Sequence, residues 1–129
     1  MNGYLLDTHV VLWLAASPEQ LSEPAKEVLL DSSVRLYASI ASAWEVAIKI
    51  SLGKLQLTGG VDGFFKICAD NGIQILPVKQ SHLSWVQSMP FHHHDPFDRL
   101  LLATVQTEGL TALLSADSQV YRYNVAWLW

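Results

Sequence analysis

At 129 residues, half of them apolar, the chain is long enough for one domain with a packed core, and that composition argues against disorder. Its formal charge of −4, from 8 basic and 12 acidic residues, argues against a protein that grips nucleic acid through a broad basic surface. No apolar run reaches the roughly 18 residues of a membrane span, and the start MNGYLLD lacks the basic region of a secretory leader. The lone cysteine, Cys68, permits neither an internal disulfide nor a Cys-rich zinc site, so a reducing, cytoplasmic setting is expected.

The pattern along the chain alternates between short apolar runs and helical periodicity. A strand is expected over residues 4–6, ending in Asp7, then a helix over residues 8–16. Ser22, with Pro24 in the first turn, caps a helix to about Asp31. Residues 34–38 read as a strand, and Ser39 or Ser42 opens a helix that stops near Gly53. A helix over residues 61–71 and a strand over residues 73–76, closed by Pro77, come next. Ser81 is expected to cap a short helix to Ser88. Asp95-Pro96 is the clearest start signal, an N-cap followed by proline at the first helical position, and its helix ends at Gly109. A strand over residues 111–114, a short helix over residues 117–123 and a strand over residues 125–129 complete the reading. Strands joined through helices imply right-handed crossovers and a mostly parallel sheet covered on both faces.

Ligands bind such sheets outside the carboxyl ends of the strands. Asp7 and Asp117 follow strands, while Glu45 and Asp98 lie near helix starts, and the topology brings all four toward one edge. Four crowded carboxylates raise one another's pKa values unless a cation compensates. Oxygen donors of this kind suit Mg²⁺ or Mn²⁺. The four acids equal the whole formal charge of −4, although any four acids would. Each also has a plainer role: Asp7 and Asp117 as helix caps, Asp98 at the positive end of a helix dipole, Glu45 paired with Lys49. Those roles leave unexplained why Glu45 adjoins the apolar stripe Ile40, Ala43, Trp44, Ala47, Ile48, and why Phe97, Leu101 and Leu102 flank Asp98. The run His92-His93-His94 reads as a solvated loop, with substrate contact as the alternative. The five tryptophans read as core or edge packing, and Cys68 as a small buried hydrophobe.

Three segments resemble the PIN-domain toxins of the VapC type: LLDTHVVLWL, SIASAWEVAIKISLGKL and HDPFDRLLLATVQTEGLTALLSADSQVYRY. They extend nearly from end to end. The resemblance implies a three-layer α/β, PIN-like fold over residues 1–129 as a single PIN domain. Its mostly parallel central sheet would have four to five strands, with helices on both faces. It further implies a metal-dependent endoribonuclease in which Asp7, Glu45, Asp98 and Asp117 hold Mg²⁺ or Mn²⁺ and hydrolyse RNA to a 3′-hydroxyl and a 5′-phosphate. Thr8 and Ser115 match small hydroxyl positions near the metal; Asp95 is an extra acid, read as a cap. Lys49, Lys54 and Arg99 are the bases nearest the site in sequence and candidates for flanking phosphates. The implied partners are an RNA substrate, a VapB-type antitoxin that blocks the groove and carries the DNA-binding part, and a second copy in a homodimer. Large apolar residues in segments 5–14 and 40–50 exceed what one helix face buries and are candidates for those contacts.

Rival readings fare worse on the residues. A phosphoacceptor signalling domain needs an acidic pair after the first strand, an Asp after a middle strand and a late Lys. Here Asp7 stands alone and no Lys follows Lys79. A haloacid-type phosphatase needs D-x-D, but His9 is the residue two after Asp7. A PIN-like module that only binds a partner would have no need of all four acids.

Overall fold

The computed structural model describes residues 2–129. Five strands, β1 (Gly3–Leu6), β2 (Arg35–Ser39), β3 (Ile73–Leu76), β4 (Ala112–Leu114) and β5 (Trp127–Leu128), alternate with six helices. These are α1 (Thr8–Ala16), α2 (Glu23–Leu30), α3 (Ile40–Ser51), α4 (Gly60–Asp70), α5 (Gln80–Ser88) and α6 (Pro96–Glu108). The strands form one sheet in the order β3-β2-β1-β4-β5, and every pairing is parallel.

Successive side chains of a strand point to opposite faces, so adjacent leucines feed two different cores. Leu6 and Leu114 pack with Val10, Val11, Ala43, Val46, Phe64 and Cys68 of α1, α3 and α4. Leu5 and Leu113 face the other way, against Leu101, Leu102 and Val105 of α6 together with Val120, Tyr123 and Val125. The result is the three-layer α/β arrangement with helices on both faces. Cys68 is a buried free thiol, as expected.

The helix boundaries follow their punctuation. Ser22 accepts from Ala25 N at 3.2 Å and Ser39 accepts from Ala41 N at 3.0 Å, so Ser39 rather than Ser42 opens α3. Asp95 caps α6 by accepting from Phe97 N and Asp98 N, and Gly109, at φ 65°, ends it in the left-handed region open to glycine.

Several expectations need correction. Ser81 does not cap α5. Lys79 holds the N-cap position, and His82 Nδ1 reaches back to accept from Lys79 N at 3.1 Å while Nε2 meets Glu108 at 3.0 Å. The segment 117–123 is not a full helix but a 3-10 turn at Val120–Arg122. Ser115 Oγ accepts from Asp117 N at 3.1 Å and Asp117 Oδ1 accepts from Gln119 N at 2.9 Å, two side-chain turns that lead into the 3-10 turn. The last strand shrinks to two residues because it pairs only with the short β4. On α3 the stripe is rotated: Glu45 is 6% exposed, whereas Trp44 is 63% and Ile40 39% exposed. Trp127 is likewise exposed rather than packed away.

Candidate active site

The order of strands creates a switch point. From β1 the chain steps outward to β2 and β3 on one side, then returns to place β4 and β5 on the other. Crossovers leaving two neighbouring parallel strands in opposite directions open a crevice at their carboxyl ends. Asp7 follows β1 and Ser115 follows β4, and these strands are neighbours. Asp7 N donates to Leu114 O at 3.0 Å, which holds the two strand ends together.

Asp7 stands at the N-cap position of α1, yet its side chain makes no capping hydrogen bond. Ser115 Oγ, itself fully buried, donates to Asp7 Oδ2 at 2.7 Å and also accepts from Asp117 N. One hydroxyl thus ties two of the acids together. Thr8 does the same for α3, donating from Oγ1 to Glu45 Oε1 at 2.7 Å. Asp98, in the first turn of α6, comes in from the opposite helical layer. Trp44 of α3 and Phe97 of α6 meet edge to face at 5.5 Å, bracing the two layers beside it.

The charges are coupled. Burial pushes the Asp98 carboxyl from 3.8 up to about 9, and the nearby carboxylates of Asp7, Asp95 and Asp117 push in the same direction. Burial also raises Asp7; Glu45 adds to the rise, while the Ser115 hydrogen bond and His9 oppose it. All four expected acids, with Asp95, therefore belong to one electrostatic cluster. Among the described residues no group of three or more His, Cys, Asp or Glu side chains is disposed to hold a metal ion outright. The acids meet in pairs, through hydroxyls and through their fields. Asp117 remains exposed at the rim.

The bases divide three ways. Lys49 Nζ lies 2.7 Å from Glu45 Oε2, and that hydrogen bond raises the lysine's pKa ahead of the opposing effect of burial. Both the plain helical pair and the acidic cluster are thus present at Glu45. Lys54 is exposed. Arg99 is a correction: it is 5% exposed and cannot meet a phosphate. Its guanidinium donates to Pro90 O at 2.8 Å, Tyr123 Oη at 3.0 Å and Val86 O at 3.3 Å, fastening the 89–95 loop from below.

That loop also corrects the histidine expectation. His94 is exposed, but the His93 side chain is only 11% exposed. Tyr123 Oη accepts from His92 N at 3.2 Å, His93 N at 3.3 Å and Arg99. The same hydroxyl lies 3.0 Å from His93 Nδ1, and His93 Nε2 lies 3.4 Å from Asp98 Oδ2. Tyr123 is a residue that sequence reasoning missed, and His93 was weighed only as part of its loop run. No local signal joins them, because thirty residues separate them. His9 and Trp13 were missed as well, although their spacing of four on one helix was visible. They line a cavity of about 280 Å³ together with Asp7, Ala116 and Asp117.

A parallel sheet covered on both faces, with carboxylates gathered at its switch point, defines an α/β protein with an acidic edge. The chain belongs to the PIN-domain family, whose model matches residues 4–126. No curated protein matches the chain by sequence. Among solved structures, VapBC2 from Rickettsia felis bound to a DNA fragment from its promoter is similar at TM-score 0.74 and 12% identity, over 98% of this chain and 97% of that one. VapBC-1 from nontypeable Haemophilus influenzae is similar at TM-score 0.67 and 14% identity, over 98% and 96%. A toxin–antitoxin complex from Klebsiella pneumoniae is similar at TM-score 0.60 and 16% identity, again over 98% and 96%. At these identities the likeness is one of fold. Among the described residues no helix is long and apolar enough to cross a membrane.

Proposed function

We propose that the chain is a divalent-metal-dependent endoribonuclease, the toxin of a VapBC-type toxin–antitoxin pair. The observation that carries this reading is the burial of Asp7, Glu45 and Asp98 at the sheet's carboxyl edge, with Ser115 bonded to both Asp7 Oδ2 and Asp117 N and Thr8 bonded to Glu45. A set of oxygen donors under mutual repulsion fits a hard dication, Mg²⁺ or Mn²⁺, better than any neutral ligand. Asp7 and Asp98 would hold it, with Asp117 and Glu45 completing its surroundings. Bound there, the ion would supply a more acidic water and a neutralised phosphate.

The chain's own residues do the positioning. Ser115 fixes the Asp7 carboxylate, Thr8 fixes Glu45, and Asp95 ends its capping role with a charge beside Asp98. Lys49 pairs with Glu45, so the uncompensated negative field lies on the four aspartates Asp7, Asp95, Asp98 and Asp117. The exposed Lys54 is the cation left for flanking phosphates. The toxin reading draws on the fold likeness to the VapBC complexes, and with it come a VapB-type antitoxin and DNA contact only through that partner. Ile40 and Trp44, exposed on α3, supply apolar surface for a homodimer. A cytoplasmic setting accords with an RNA target.

Incubation of the purified chain with RNA, with Mg²⁺ or Mn²⁺ and then with EDTA, tests the reading. Metal-dependent cleavage leaving 5′-phosphate ends is expected. Equal cleavage in EDTA, or none under any metal, overturns it.

A further inference from the structure

The cavity beside Asp7 has a wall that the acids do not explain. His9 and Trp13 project from successive turns of α1, with ring centroids 5.8 Å apart and planes inclined by 35°. Trp129 supports the indole on another side, its ring centroid 5.8 Å from that of Trp13. His9 is exposed and Trp13 partly so, and both line the cavity with Asp7, Ala116 and Asp117. Packing against the core accounts for the inner edge of the indole. It does not account for an imidazole and an indole together on the wall of an acidic cleft.

The two walls have different chemistry. Carboxylates repel a phosphate. The Trp13 indole offers a phosphate little, while both rings present faces that stack on any nucleobase, since every base has a π-face. We propose that His9 and Trp13 form a stacking subsite for one unpaired nucleobase of the RNA strand, next to the bond that is cut. This deepens the nuclease reading above and rests on it. A base inside a duplex has both faces covered by its neighbours, so the subsite admits bases from single-stranded loops, bulges and ends. Stacking tolerates sequence, so the subsite places the strand across Asp7 and Asp117 rather than choosing the base. It also supplies attraction at a cleft whose charge opposes the polyanion.

Steady-state cleavage of a short single-stranded oligoribonucleotide with Mn²⁺ tests this, using wild type, Trp13→Phe, Trp13→Ala and His9→Ala. Loss of one base–aromatic stack corresponds to roughly 5- to 150-fold in affinity. Trp13→Ala is expected to raise KM by about that factor and to lower kcat less, while Trp13→Phe, which keeps a π-face, restores most of the loss. An abasic nucleotide next to the cut should cost the wild type the same factor and cost Trp13→Ala nothing further. An abasic penalty of equal size in both, or an unchanged KM in Trp13→Ala, overturns the subsite. If Trp13→Ala does not fold, His9→Ala at its exposed position carries the same abasic comparison with a smaller loss. If the wild type cuts no RNA, the nuclease reading fails by itself. The intact oligonucleotides then decide the subsite by fluorescence anisotropy in Mn²⁺. An abasic loss of affinity confined to the wild type supports it, and equal affinities overturn it.

Discussion

Without divalent metal, Asp98→Asn is expected to melt at a higher temperature than the wild-type chain at neutral pH. The Asp98 carboxyl is pushed from 3.8 up to about 9 in the folded chain by burial, Asp7, Asp95 and Asp117. Between those two values the folded chain retains a proton that the unfolded chain has released. Stability therefore falls as pH rises through that window, by up to about 1.4 kcal/mol per pH unit for a difference of one proton. Below the lower value both states hold the proton and the loss disappears. Asparagine cannot ionise, so its melting temperature should follow a flatter line with pH. Added Mn²⁺ should raise the wild-type melting temperature and leave that of Asp98→Asn nearly unchanged. A ligand held by the native state alone adds about 2.7 kcal/mol at a hundredfold excess over its Kd. Thermal melts across pH, with EDTA and with Mn²⁺, check both parts. A variant that melts below the wild type in EDTA at neutral pH contradicts the crowding.

Asp7→Asn is expected to abolish cleavage while leaving the fold intact. The substitution preserves shape, and its side-chain carbonyl can still accept from Ser115 Oγ, now 2.7 Å from Asp7 Oδ2. It also removes a charge that burial disfavours, since the Asp7 carboxyl is itself raised. Stability should hold or improve. Activity should not, because the carboxylate is the ion's principal anchor in this account. Metal-ion catalysis contributes several kcal/mol, so the rate should fall by at least about a thousandfold. Initial rates on one RNA for both proteins, alongside circular dichroism, measure this. Undiminished cleavage by a folded Asp7→Asn contradicts the assignment.

The architecture was legible because its punctuation is local. Ser22, Asp95-Pro96 and Gly109 act within a few residues of themselves, and the apolar runs at β1, β2, β3 and β4 stand between them. The acids were legible for a topological reason: a parallel sheet sends whatever follows its strands to one edge. What escaped depends on rotation and distance. Arg99 adjoins Asp98 in sequence, but one residue turns about 100° round a helix, and it points to Val86, Pro90 and Tyr123 instead. The α3 stripe followed hydropathy, whereas Thr8 of α1 holds Glu45 inward and Trp44 is left outside. Ser81 is a good cap in isolation, but His82 reaches back to Lys79 while bridging to Glu108. His93 depends on a tyrosine thirty residues onward, which nothing in its own loop announces.

Anomalous diffraction from crystals grown with Mn²⁺ locates the ion. A manganese peak is expected at the carboxyl ends of β1 and β4, within coordination distance of carboxylate oxygens from Asp7 and Asp98. A peak elsewhere on the chain, or those two carboxylates bare at saturating Mn²⁺, would contradict the metal assignment.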